Sequence, residues 1–281
     1  MTELKKVFLL LPCIFLFIAC GDDDNEDDND DNGGGNSGRL EITLEDSKKW
    51  RIQKTVSYLY GGSDIGKQID PGASGEGAIW DFSKLDLSKY ALKMKIEADP
   101  KKVDFSTSLY KEYYLGATEC YMTKVINTYP DNGTLGGLYN TYEYLEGNKD
   151  YGFVQESQVP GESQASVWTN NPPVSQPYPQ YRGLKYSERT TMEDILLING
   201  IQSSTYSFSH AFDIVIDGEG ALIMPNGTKL TDVLRYKLTD TESEEVQYNY
   251  VSKKLGVCAH IYPAAISQPE KWGINFVDEW D

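Results

Sequence analysis

An all-β fold, an antiparallel β-sandwich with long loops and at most one or two short helices, is what the sequence predicts. Three observations lead there. Short runs rich in β-branched and aromatic residues recur from residue 50 onward. Clusters of Gly, Asn and Pro separate them. Within several runs apolar and polar residues alternate, the period of a strand with one buried face.

Trp50 to Tyr60 reads as the first strand and stops at Gly61-Gly62. Ala91 to Ala98 alternates apolar with charged residues. Glu119 to Tyr129, Leu138 to Leu145 and Tyr151 to Gln158 are separated by Pro130-Asp131-Asn132-Gly133 and Glu146-Gly147-Asn148, and predict an antiparallel meander. Pro160, Pro172, Pro173, Pro177 and Pro179 then mark residues 159–182 as a long loop, because proline cannot donate to a sheet ladder. In Thr190 to Asn199, the spacing of Met192, Ile195, Leu196 and Asn199 suits one face of a short helix. Thr205 to Asp217 is a long strand, turned by Asp217-Gly218-Glu219-Gly220. Ala221 to Met224, Leu234 to Leu238, Val246 to Val251 and Leu255 to Ile261 complete the set. No fixed-period repeat is visible, and many strands with few helices point to the sandwich.

The chain divides into three parts. Residues 1–19 have Lys5 and Lys6, then the apolar run Val7 to Ala19, in the order of a secretory signal. That run is shorter than the roughly 20 residues that span a bilayer. Residues 20–38 form a tether. Eight acids in the ten positions Asp22 to Asp31 cannot bury a core, and the Gly33-Gly34-Gly35-Asn36-Ser37-Gly38 stretch adds flexibility. Residues 39–281 are read as one domain. The whole chain carries −17; the first 38 residues hold nine acids and two bases, which leaves the domain 34 acids against 24 bases, a net of −10. Such a surface repels nucleic acid, so no nucleic-acid partner is expected.

Phe17-Ile18-Ala19-Cys20 resembles the lipobox of bacterial lipoproteins, which implies lipid on the Cys20 sulfur and anchoring in a membrane. The acidic block after it resembles the surface-export signal of Bacteroidota lipoproteins, which implies the outer membrane, facing the cell exterior. Two further segments, Gly75-Glu76-Gly77-Ala78-Ile79-Trp80-Asp81-Phe82-Ser83-Lys84-Leu85 and Asp217-Gly218-Glu219-Gly220 through Pro225-Asn226-Gly227 to Asp232-Val233-Leu234-Arg235-Tyr236-Lys237, resemble paired elements of secreted Bacteroidota proteins of uncharacterised activity. That resemblance carries no catalytic residues. The elements read as framework: Trp80 and Phe82 share one face, and Arg235 and Lys237 lie opposite Leu234, Tyr236 and Leu238.

Chemistry is sparse. There is no phosphate loop, dinucleotide fingerprint or zinc spacing, and no cofactor or metal is expected. Glu188, Glu193 and Asp194 are the candidate carboxylates for a glycosidase, which needs two of them 5–10 Å apart. His210 and Asp213 are three apart on a strand and so face opposite sides. His210 and His260 read as residues satisfied by their neighbours. Cys120 and Cys258 are either two separate buried cysteines or one disulfide. Trp168, Tyr178, Tyr181 and Tyr186, interleaved with Asn170, Asn171, Gln176 and Gln180, are the candidate binding residues, because ring faces stack on sugars and amides hydrogen-bond to them. These rings alternatively pin the loop to the sheet. The sequence therefore predicts a non-enzymatic binding or adhesion module for a glycan or a surface protein. The alternatives are an assembly component of a surface complex and, behind it, a glycoside hydrolase.

Overall fold

A computed structural model describes residues 39–61, 69–90, 92–161, 163–262 and 273–280. The signal at 1–19, and the tether at 20–38 with Cys20, lie outside the described residues. The elements run β1 (Glu41–Ile42), α1 (Leu44–Trp50), β2 (Thr55–Gly61), β3 (Gly75–Asp81), β4 (Leu92–Val103), β5 (Glu119–Tyr129), β6 (Thr134–Glu146), β7 (Lys149–Ser157), β8 (Gln164–Ser175), β9 (Gln180–Tyr181), β10 (Lys185–Ile198), β11 (Ile201–Ile223), β12 (Lys229–Asp240), β13 (Val246–Ser252), β14 (Gly256–Tyr262) and β15 (Gly273–Trp280).

The fold is all-β, but it is not a sandwich. The sheet order is β10-β8-β7-β6-β5-β4-β2-β15-β14-β13-β12-β11, and β11 pairs back to β10. Twelve antiparallel strands therefore close into a barrel. β3 lies outside the ring and pairs parallel with the end of β11 at Gly218–Ile223. Alternating patterns are common to sandwiches and barrels; what separates them is the β2–β15 pairing between the two ends of the chain, which no local pattern encodes.

Two adjacent residues identify the inner face. The Trp50 indole donates to the Lys253 carbonyl just past β13 at 2.9 Å, while Arg51 reaches Glu143 of β6 at 3.1 Å. β13 and β6 are opposite walls of the ring, so the C-terminal end of α1 lies across the lumen and plugs one end. A capping box sets that helix: Thr43 Oγ1 accepts from the Asp46 N–H, and Asp46 accepts from the Thr43 N–H. The helix displaces the start of the predicted first strand from Trp50 to Thr55. Thr43-x-x-Asp46 was the signal for it in the sequence.

The outer wall carries two apolar patches, each covered by the chain's own segments. Trp80, Phe82 and Tyr90 lie over Tyr250, Ile261 and Phe276. Phe105, Tyr113, Tyr114 and Ala117 lie over Tyr142, Tyr144, Val154 and Val167. Between them, the outward row of β4 is Lys93, Lys95, Glu97, Asp99 and Lys101, where a membrane barrel would carry an apolar band.

Three further expectations are corrected. Residues 159–182 are not one loop: 164–175 is strand β8. Its ladder to β10 stops at Asn171, and its ladder to β7 skips from Thr169 to Val174, so Pro172 and Pro173 sit where no partner needs an N–H. Thr190 to Asn199 is not a helix: Thr190 to Ile198 belong to β10, and Asn199 starts the turn to β11. Both faces of that strand are covered, with Met192 inward and Ile195 and Leu197 outward, and this double burial imitated a helical spacing. Asp217 to Gly220 does not turn the chain, because β11 runs through it. A Cβ on Gly218 would lie 2.7 Å from the Trp80 ring, and one on Gly220 would lie 2.0 Å from the Ala78 carbonyl oxygen. The glycines are there to let β3 dock.

That docking joins the two sequence elements into one unit. Arg235 donates to both Asp217 oxygens, at 2.8 and 2.9 Å, and to the carbonyls of Pro71 and Gly72. Its guanidinium also lies over the Trp80 and Tyr248 rings. The Trp80 indole donates to Ala73 O and the Tyr250 hydroxyl to Pro71 O. Trp80 and Phe82 are buried as expected, and Leu234, Tyr236 and Leu238 face inward, away from Arg235.

Candidate binding site

The structure does not gather the four predicted rings. Trp168 points into the lumen, stacked on Phe153 at 5.7 Å and edge-on to Phe208 at 5.8 Å. Tyr178 and Tyr186 pack against Ile214, Tyr236 and Leu238 near the plug. Tyr181 lies beneath the Arg39 guanidinium, 3.6 Å from its ring centre, and pairs with Glu41 of β1. The flanking amides are structural as well. Asn170 donates to Asp150 O, and Gln176 and Gln180 are buried.

The carboxylates do not form a glycosidase pair. Glu188 and Asp194 lie on the same strand face, six residues apart, which is about 20 Å. Glu193 faces out and is exposed. Glu188 instead ends a luminal chain of polar groups. Tyr236 donates to Gln180 Oε1 at 2.6 Å, and Gln180 lies 3.5 Å from Gln176. Gln176 then donates to Glu188 Oε1 at 3.0 Å, and His210 Nε2 is 3.8 Å from Glu188 Oε2. This chain runs beside a cavity of about 20 Å³, room for one water. Asp213, on the opposite face from His210, accepts from Ser187 and Arg189.

Near the plug, burial pushes Asp150 up to about 7, helped by the neighbouring Glu143 carboxyl. Burial also raises Glu143, against the pull of Arg51. Desolvation raises Asp194 to about 6 and lowers His260 to about 4. Cys120 and Cys258 are free and buried in the two separate outer patches. Burial pushes their thiols up to about 11 and about 12, out of the nucleophilic range. Among the described residues no group of His, Cys, Asp and Glu could hold a metal ion.

A concave site does exist, on the outer side of the rim opposite the plug. It has a volume of about 170 Å³ and lies between the tops of β7, β8 and β10 and the segment that covers them. Tyr110 forms one wall and Leu197 and Ala165 part of the floor; Glu156, Gln158, Gln164 and Ser163 supply polar groups. The Glu156 carboxylate is held in place, accepting from the Tyr110 hydroxyl at 3.0 Å and from Gln158 Nε2 at 2.9 Å. Tyr110 is held at φ 62, a left-handed backbone that a tyrosine rarely adopts. One carboxylate, several amides and hydroxyls, and one ring wall match the chemistry that recognises a small polyhydroxylated molecule. The sequence missed this pocket because Tyr110 is more than forty positions from Glu156, in a stretch with no motif.

Above the rim the barrel wall is uneven. The β11–β12 ladder begins at Phe212, with one further bond from Thr241 to the Ala211 carbonyl, so among the described residues Ile201 to His210 has only β10 beside it and stands up as a flange. Ile198, Ile201, Tyr206 and Phe208, four of the nine exposed large apolar side chains among the described residues, lie there. The molecule is thus defined, among the described residues, as a closed antiparallel barrel with α1 plugging one end and a flange standing at the other. Compared with known proteins, the chain matches no family model, and no curated protein or solved structure is similar to it.

Proposed function

We propose that this protein is a binding module displayed on the outside of the outer membrane by lipid on Cys20, and that it takes a small polyhydroxylated ligand, such as a sugar ring of a glycan, in the pocket at Tyr110 and Glu156. The pocket carries this reading. Its position supports it: residue 39, where the tether joins, is at the plugged end beside β9, while the pocket is at the opposite end. A ligand site at the far end from the anchor is accessible from outside.

A glycan array probed with the mature chain tests this. Wild type should bind a defined set of glycans. Glu156→Gln should weaken binding at least tenfold. Tyr110→Gly should do the same, since it keeps the left-handed backbone but removes the ring. Silence of the wild type across the array would end the proposal. The anchoring half is separate: Cys20→Ala should move the protein from membrane to soluble fractions, and a variant that stays in the membrane would remove the lipid from the account.

A further inference from the structure

We propose that the flange is a self-association edge, at which β11 pairs antiparallel with β11 of a second copy. The free edge can be located residue by residue. The Ala211 carbonyl accepts from the Thr241 N–H, on the side away from β10, whereas the Ile216 N–H donates to Leu184 O, on the β10 side. Backbone groups alternate along a strand, and the β10–β11 register is unbroken from Thr205 upward in number. The N–H and C=O of Thr205, Ser207 and Ser209 therefore point to the open side. Residues 205–209 are all exposed.

A second copy fits this edge better than other occupants for two reasons. First, Ile201 to Ala211 has no acidic or basic side chain except His210, in a domain of net −10. Natural edges are usually blunted by charge, proline or a bulge. Here the stretch without charge is where two acidic copies can approach with least repulsion. Second, the edge is self-complementary about Ser207. A two-fold axis there pairs Ser207 with Ser207 and Thr205 with Ser209, and each such pair exchanges two backbone hydrogen bonds. The same axis places Tyr206 of each copy opposite Phe208 of the other, in the closer, non-hydrogen-bonded register. The two most prominent exposed rings of each copy, 65% and 42% exposed, would then cover one another. The hydroxyl row Thr205, Ser207 and Ser209 stays on the opposite, solvent face.

Sedimentation of the mature chain with Cys20→Ser, over a range of concentrations, tests this. Wild type should form dimers. Ser207→Pro removes an N–H from the open side only and should weaken association at least tenfold. Phe208→Ser should weaken it as well, and it guards against a misfolded proline variant. Glu156→Gln should dimerise like wild type, which separates this edge from the ligand pocket. A wild type that is monomeric throughout overturns the proposal, even if the edge takes an unrelated extended peptide. Dimers indifferent to both flange variants overturn it too.

Discussion

The two ends of this barrel are built by opposite rules. At the plugged end, charged and amide groups are enclosed and tied to one another, Arg51 to Glu143 and Gln176 to Glu188, with Arg51 Nε and Nη2 and Glu188 Oε2 buried beyond those bonds. At the flanged end, rings and backbone groups are left exposed along β11. A closed sheet has no edges to manage, so an edge that protrudes from one is the exception. The contrast separates residues that hold the fold from residues available for contact.

The largest expected effect is at the joint between β3 and the ring. Arg235→Met would leave Asp217 and the carbonyls of Pro71 and Gly72 without their donor. It should cost about 3–5 kcal/mol, lowering Tm by roughly 10 °C in thermal unfolding. A loss under 1 kcal/mol would mean that the paired sequence elements are not framework.

A smaller effect comes from Asp150, and its sign is set by burial. Its carboxyl titrates near 7 in the fold against 3.8 ordinarily. Between about pH 4 and 7 the unfolded chain ionises while the folded one stays protonated. Stability from this group is therefore lost as pH rises through that window. Asp150→Asn should be close to neutral at pH 4 and stabilising at pH 7.5, by about 1 kcal/mol or 2–4 °C. A pH-independent difference would show that Asp150 is not enclosed. His260, lowered to about 4 from 6.5, acts on the other limb, where stability falls as pH drops from about 6.5 to 4.

The smallest effect belongs to the flange. Ser207→Pro, assayed at a dilution where the chain is monomeric, should change unfolding free energy by less than about 0.5 kcal/mol, as exposed sites do. A large loss would place the flange within the fold's own support and weaken the contrast between the ends.

Much of the strand content was legible in the sequence. β5, β6 and β7 were readable because their turns are chemically explicit at Pro130–Gly133 and Glu146–Asn148. Trp80, Phe82 and the two faces of β12 were readable from alternation alone. Closure of the sheet was not, because it depends on β15 pairing with β2 from the other end of the chain. Pro172 and Pro173 misled because a strand tolerates proline where its ladders are interrupted. Gly218 and Gly220 misled because a glycine for close approach looks like a glycine for a turn. Of the site, Ser163, Gln164 and Ala165 fell within the proline-marked stretch read as a long loop; Tyr110 and Glu156 come together solely through packing.

The plugged end also holds both described ends of the chain. β1 begins there at Glu41 beside β9, and β15 finishes there at Trp280, paired with Thr55. A label or surface coupled directly beside Glu41 or Trp280 would thus leave the pocket and flange turned to the bulk solution. Surface-based measurements can use this chain without randomising which face meets the analyte.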